Sequence, residues 1–171
     1  MSLRSFCRAS VFILVVAVGC SDSEPATEFS RALQVALEAS NDASKGAEAI
    51  VLLEAFIEMN ATDAAVPEAL KQLAILRQQQ GDMTAALVDY QRILDGYPAS
   101  AVADEAQFMI AFVREEHLRD FDGARLAYQL VLDKYPDSEL VEQARLLLEH
   151  VGEPPDEWVP GFQEGSAEDP Q

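Results

Sequence analysis

The strongest constraint on the fold of this 171-residue chain is an internal repeat. Residues 82–106 align with residues 120–144 at a constant offset of 38, without a gap. The identical pairs are Asp82/Asp120, Ala86/Ala124, Tyr90/Tyr128, Gln91/Gln129, Leu94/Leu132, Asp95/Asp133, Tyr97/Tyr135, Pro98/Pro136, Ser100/Ser138 and Ala106/Ala144. A repeat of this length predicts a stack of similar supersecondary units, in which each unit buries its apolar face against the next one.

Within each copy, the spacing of residue types predicts a helix that ends at a proline. A small residue is followed by an aromatic residue four positions later and by an apolar residue seven positions later, all on one helix face. The proline stands twelve positions after the small residue. These residues are Ala86, Tyr90, Ile93 and Pro98 in the first copy and Ala124, Tyr128, Val131 and Pro136 in the second. Because proline cannot continue a helix, we predict that the helices end at Tyr97 and Tyr135. Ser100 and Ser138 are interpreted as caps of the helices that follow.

This pattern resembles the second helix of the tetratricopeptide repeat (TPR), in which a small residue lets the two helices of a hairpin approach closely. Ala74 and Ala111 fit the close-contact position of the first helix, and one extra residue precedes Ala124 in the second unit. The Tyr-Pro-x-Ser ends resemble the longer repeats of bacterial envelope lipoproteins, of which the BamD-type assembly proteins and the YbgF-type Tol-Pal proteins are examples. The resemblance covers residues 66–150 and implies a right-handed helical stack that binds partner proteins.

A third, degenerate copy upstream completes the predicted architecture. At an offset of 37, Ala49, Leu53 and Phe56 take the positions of the small, aromatic and apolar residues, and Ala61 replaces the proline. We therefore predict an all-α fold, an α-solenoid of about three TPR-like helical hairpins plus a capping helix, in a domain spanning residues 27–151. The predicted helices are 27–41, 44–59, 67–80, 82–96, 101–118, 121–135 and 139–151, and no strand pattern appears.

The first twenty residues have the pattern of a targeting signal. A basic start with Arg4 and Arg8 precedes an apolar stretch of eleven residues, 9–19, which is too short to span a bilayer. The end of this stretch, Ala-Val-Gly before Cys20, resembles the lipobox of bacterial lipoproteins. The resemblance implies a signal peptide over residues 1–19, lipid modification (palmitate) of Cys20 and a short tether over residues 20–26. The alternative is ordinary signal cleavage, which would release a soluble periplasmic protein.

The charge balance limits the classes of partner. The chain has 12 Lys and Arg residues against 30 Asp and Glu residues, which argues against binding to nucleic acid. Loss of residues 1–19 would remove two arginines and leave 10 basic against 30 acidic residues, a net charge of −20. We therefore expect the lipid alone to hold the protein at the membrane. Ser21 directly after the lipidated cysteine favours the outer membrane, with the domain facing the periplasm.

The C-terminal residues 152–171 differ in composition from the rest of the chain. They contain four of the eight prolines, six acidic residues and no lysine or arginine, so we predict an acidic, proline-rich disordered tail. Trp158, Val159 and Phe162 interrupt this composition. They are interpreted as a cover over the last helix, with a short docking motif as the alternative.

No catalytic, metal-binding or cofactor-binding motif is found. His117 and His150 do not have the spacing of a zinc site, and Asp122 is interpreted as a helix cap rather than as part of a calcium loop. No cofactor is predicted. Two function classes remain, a membrane-tethered scaffold that binds a partner protein and an envelope hydrolase that uses a carboxylate pair. The scaffold is favoured because no acidic residue is seen to interrupt an apolar helix face.

The resemblance also implies a binding surface, because the first helices of successive TPR hairpins line a groove. The residues predicted to face this groove are Glu68, Lys71, Ile75, Gln78 and Gln79 in one unit, Glu105, Phe108, Phe112, Glu115 and Glu116 in the next, and Gln143, Leu146 and His150 in the last half-unit. Such a surface suits an amphipathic or basic partner segment. Phe108 and Phe112 have an alternative interpretation as core residues, since they lie four apart on one face.

Overall fold

A computed structural model describes residues 25–39, 42 and 44–158 of the chain, and in this part the fold is entirely helical. Its helices are α1 (Pro25–Ala39), α2 (Ser44–Met59), α3 (Val66–Gln79), α4 (Met83–Gly96), α5 (Ala103–Phe112), α6 (Phe121–Lys134), α7 (Val141–His150) and the single turn α8 (Pro155–Trp158). A π-helical segment, Val113–His117, continues α5. The all-α prediction is confirmed. None of the described helices is long and apolar enough to cross a membrane.

Several predictions concern residues outside the described part. The signal peptide over residues 1–19, the lipid-modified Cys20, and Val159 and Phe162 lie there. The structure does describe the first residues of the predicted tail, where the turn α8 forms. It also begins α1 at Pro25, inside the predicted tether, since proline is favoured at the first position of a helix.

The helices pack as antiparallel neighbours along a solenoid. The pairs α1–α2, α3–α4 and α5–α6 form three hairpins, and α2–α3, α4–α5 and α6–α7 join each hairpin to the next element. We refer to α1, α3, α5 and α7 as the A helices and to α2, α4 and α6 as the B helices. Direct contact between α1 and α3 shows that the first two A helices lie side by side.

The repeated sequence positions form the core that holds these hairpins together. Ala49, Ala86 and Ala124, the small residues of the three B helices, have no exposed surface. The equivalent large residues four positions later, Leu53, Tyr90 and Tyr128, are also fully buried. A small side chain permits the close approach of two helices, and the large side chain fills the space beside it. The spacing seen in the sequence thus corresponds to one repeated packing unit.

The turn between the A and B helices uses a positive φ angle in both later hairpins. In the first, Gly81 has φ +82°, and the Asp82 side chain caps α4 by accepting a hydrogen bond from the Ala85 N–H at 2.9 Å. In the second, Arg119 has φ +55°, and Asp120 accepts from the Gly123 N–H at 3.0 Å. The N-terminal cap of α6 is therefore Asp120.

The prediction that Asp122 caps a helix is wrong, and the two serine caps are wrong as well. Asp122 already lies in the first turn of α6, where its side chain is fully exposed. The helices α5 and α7 begin after Val102 and Leu140 rather than after Ser100 and Ser138. The Ser138 hydroxyl donates to Asp104 at 2.6 Å, and its oxygen accepts from the Leu140 N–H at 3.1 Å, so it organises the turn that precedes α7.

The π-helical segment accommodates the extra residue of the second unit. The Leu118 N–H bonds to the Val113 carbonyl, five residues earlier, at 3.1 Å. A π turn contains about one residue more than an α turn, so the segment absorbs the insertion inside the helix. The chain then reaches its A-to-B turn with Arg119 in the conformation that Gly81 has in the preceding unit.

Candidate protein-binding site

A groove lies between the first two A helices. Its volume is about 260 Å³, and we call it the α1–α3 groove. It is lined by Leu33, Ala36, Leu37, Glu68, Gln72, Ile75, Leu76 and Gln79. The α1 side is apolar, and Leu37 remains 73% exposed there. On the α3 side, a carboxylate and two amides surround the apolar Ile75 and Leu76. Three of the predicted groove residues, Glu68, Ile75 and Gln79, therefore line one cavity.

An ion-pair cluster beside the α1–α3 groove links α3 to the next A helix, α5. The Lys71 ammonium lies 3.1 Å from a carboxylate oxygen of Glu68 and 3.1 Å from one of Glu105, so it joins α3 to α5. Burial of Lys71 opposes its charge, but its hydrogen bonds to Glu105 and Glu68 outweigh burial, and the pKa of Lys71 is raised. Lys71 therefore stays charged, and the two glutamates outnumber it.

Gln78 connects its A helix to the following B helix. Its side-chain amide donates a hydrogen bond of 2.7 Å to the hydroxyl of the fully buried Tyr90. Burial raises the pKa of this phenol, and the nearby charge of Glu105 adds to the effect. Gln78 is half-buried, and its polar end is turned toward the hairpin interior.

Glu115 was predicted to face the groove, but the structure places its side chain in the interior. Glu115 is only 6% exposed, and one of its carboxylate oxygens accepts a hydrogen bond from the Gly152 N–H at 3.0 Å. The carboxylate thus ties the π-helical segment to the chain after α7. Burial, followed by the negative charge of Glu115, raises the pKa of the nearby Tyr128 phenol. Glu115 is part of the interior, whereas the adjacent Glu116 is exposed.

The two phenylalanines of α5 also lie against the interior. Phe108 is 6% exposed and packs edge-to-face on the Tyr128 ring, with centroids 5.6 Å apart. This position corresponds to the core interpretation, because a buried ring between α5 and α6 offers no surface to a partner. Phe112 is half-buried against the core and meets the His117 ring edge-on at 6.2 Å. The part of the predicted surface that stays open here is therefore mainly on α3, with Glu105 of α5 and Glu116 of the π-helical segment.

The last A helix presents a mixed surface. Gln143 is exposed, and so is Leu146, at 47%. The His150 ring stacks flat against Trp158, with centroids 4.5 Å apart, and its Nδ1 atom lies 2.7 Å from Glu153. Trp158 thus packs on the end of α7, as expected for a cover over the last helix.

Sequence reasoning missed a buried carboxylate. Asp89 has no exposed surface and pairs with Arg77 at 2.5 Å and with Arg92 at 3.1 Å. Arg77 also binds Glu54, so the network joins α2, α3 and α4. Burial raises the pKa of Asp89 despite the two guanidinium groups beside it. A usable signal was present, since Asp89 lies three residues after Ala86 and four before Ile93, on the helix face that these core residues share.

Both carboxylate oxygens of Asp120 are bound by groups of the protein. One carboxylate oxygen of Asp120 accepts from the Gly123 N–H, and the other lies 2.6 Å from Arg114. These contacts hold the pKa of Asp120 below its ordinary value, with the backbone hydrogen bond as the main cause. Among the described residues, no group of three or more His, Cys, Asp or Glu side chains is arranged to hold a metal ion.

Comparison with known proteins identifies the repeats. Residues 68–100 and 105–138 each match the family model of the tetratricopeptide repeat. The two matched ranges coincide with the hairpins α3–α4 and α5–α6. No curated protein matches the chain significantly. Two segments of the chain thus match the tetratricopeptide repeat within an α-solenoid, an architecture typical of protein–protein interaction scaffolds.

Proposed function

We propose that this protein is a membrane-tethered scaffold of the bacterial cell envelope, which binds a segment of a partner protein on its A-helix side. The α1–α3 groove is the observation that carries this proposal. It is an open cavity with an apolar wall and a polar rim, and it lies between A helices of a repeat fold that is typical of protein binding. Leu37 and Ile75 supply apolar surface there that the described residues leave accessible.

The tether rests on the sequence before the described residues. The basic start, the apolar stretch of residues 9–19 and Cys20 favour cleavage before this cysteine and its lipid modification. A body with 30 acidic residues would be repelled by anionic lipid, so two or three acyl chains would supply the anchor. Ser21 favours the outer membrane. Roles in outer-membrane protein assembly or in envelope organisation are the candidates that fit this location.

Metabolic labelling tests the tether. Radiolabelled palmitate should mark the wild-type chain and leave Cys20→Ala unmarked. Equal labelling of both chains would refute lipid attachment at Cys20. If the wild-type chain is processed, carries no palmitate label and is found in the soluble periplasmic fraction, the result would instead show ordinary signal cleavage.

Site-specific photo-crosslinking in living cells tests the binding face. A photoreactive amino acid at Gln79, exposed at the rim of the α1–α3 groove, should give discrete crosslinks to another protein. The matched control is Gln129, an equally polar and exposed residue on the B helix α6. Crosslinks of the same pattern from both positions, or from Gln129 alone, would contradict binding on the A-helix side.

A further inference from the structure

We infer that the α1–α3 groove takes a basic amphipathic segment of a partner protein, with an apolar side chain in the groove and lysine or arginine over the adjoining carboxylates. This inference rests on the proposed function and adds the chemistry of the partner. It depends on two independent features of the described residues, an apolar surface left open on α1 and a local excess of negative charge where Glu68 of α3 and Glu105 of α5 surround Lys71.

The apolar feature is concentrated on one wall. Leu37 is 73% exposed although its neighbour Ala36 is buried in the core, so the last turns of α1 point apolar surface both inward and into the groove. Leu33 and Ile75 are half-buried on either side of the same cavity. A partner side chain that enters between them would remove apolar surface from water on both helices. An amphipathic helix meets this requirement with one face and keeps its other face solvated.

The charge feature lies beside this wall. Glu68 lines the groove and, with Glu105, surrounds the single ammonium group of Lys71. Their side chains remain 35% and 44% exposed, so solvent reaches both carboxylates. The second Glu68 oxygen accepts a hydrogen bond of 2.9 Å from the neutral Gln72 amide, which leaves the negative charge of the pair unchanged. The local charge has the same sign as the net charge of −18, so a cationic segment would be attracted from a distance and at the site itself.

The same charges disfavour two other occupants. A second copy of this chain carries −18 as well, so its approach would be opposed by long-range repulsion. An anionic lipid surface would be repelled for the same reason. A basic protein segment is the occupant that agrees with both features.

Fluorescence anisotropy with defined peptides and the full chain tests this inference. The probe is a labelled amphipathic helix of leucine and lysine, about five helical turns long. One comparison peptide has glutamate in place of every lysine, and a second has serine in place of every leucine. We expect the leucine–lysine peptide to bind at least tenfold more tightly than either comparison peptide, with an affinity that falls as salt rises.

Matched variants locate the binding. Leu37→Ser should weaken binding of the leucine–lysine peptide about tenfold, whereas Val88→Ser, at a residue 54% exposed on the B helix α4, should leave it unchanged. Lys71→Gln should tighten binding severalfold, and Lys45→Gln, which removes the same charge from α2, should not. Leu37 and Val88 are both exposed, so the two serine variants should remain folded, which circular dichroism checks.

Each other outcome overturns the inference. Equal binding of the glutamate peptide would refute the basic chemistry, and equal effects of Leu37→Ser and Val88→Ser would refute the location. Absence of binding by all three peptides would also refute it. Crosslinking from Gln79 is independent of these peptides, so the proposed function would stand if Gln79 crosslinks and the peptides fail, and it would fall if Gln79 gives no crosslink.

Discussion

The buried Asp89 network gives a quantitative test of the fold, because Asp89 and its two arginine partners differ in exposure. Asp89 has no exposed surface, while the Arg77 and Arg92 side chains are 20% and 46% exposed. Arg77→Ala would leave Asp89 buried with only the outer Arg92, and breaking a buried pair in this way costs about 3–5 kcal/mol. Arg92→Ala removes the exposed partner and should cost at most about 1 kcal/mol.

Asp89→Ala should fall between these values. Its removal leaves Arg77 bound to Glu54 and partly exposed, so no charge is stranded in the interior. The expected loss is about 1.5–3 kcal/mol, the usual range for hydrogen bonds to a charged group. The expected order of destabilisation is therefore Arg77→Ala, then Asp89→Ala, then Arg92→Ala.

Urea unfolding followed by far-ultraviolet circular dichroism measures the three losses, and unchanged m-values would validate the comparison. An Arg92→Ala loss equal to that of Arg77→Ala would refute the assignment of Arg77 as the inner partner. A loss below about 1 kcal/mol for Arg77→Ala would show that Asp89 is not a buried charge that depends on this pair.

Three further predictions concern the core and its titration. Phe108→Ala should cost about 3–5 kcal/mol in thermal or urea unfolding, since the ring is 6% exposed, whereas Leu146→Ala, at 47% exposure, should stay within about 0.5 kcal/mol. Ala124→Leu should overpack a fully buried contact and cost about 1–3 kcal/mol, whereas the nearby exposed Leu126→Ala should be close to neutral. Burial raises the pKa of Tyr90, so its contribution to stability is present below the ordinary value of about 10 and is lost as pH rises through the folded pKa. Urea unfolding at rising alkaline pH should therefore show a smaller loss in Tyr90→Phe than in the wild-type chain, and equal losses would contradict this origin.

The repeated positions could be predicted from the sequence because each has a local physical cause. Proline cannot continue a helix, so the ends of α4 and α6 follow from Pro98 and Pro136, and the C-terminal caps are indeed Tyr97 and Tyr135. The small and large residues of the B helices follow from helical spacing alone. Three of the five α3 residues that line the α1–α3 groove, Glu68, Ile75 and Gln79, were also among the predicted positions, since they precede any irregularity in the helices.

The second unit was less predictable because of its π-helical segment. One inserted residue rotates all later positions of a helix by about 100°, so a groove position and an interior position exchange places. The sequence reveals the extra residue but not the turn that absorbs it. This turn is the π-helical segment Val113–His117, and its wider winding turns Glu115 toward the interior. The α1 wall was missed for another reason. The first copy is degenerate, and at its offset of 37 Leu33 and Leu37 align with the buried Leu70 and Ala74, so the repeat does not mark them as groove residues.

The buried acids bear on the choice between a scaffold and a hydrolase. A carboxylate-pair hydrolase needs an acid with a raised pKa beside a second carboxylate, and both must be open to substrate. Asp89 has a raised pKa, but its two oxygens are bound by Arg77 and Arg92 in the interior between helices. Glu115 is likewise buried and holds the Gly152 backbone. Both acids thus join elements of the solenoid, and rigid connections between hairpins are what a binding surface made from several helices requires. Within the described part of the chain, the exposed carboxylates beside the α1–α3 groove are therefore better suited to attracting a cationic partner than to hydrolysis.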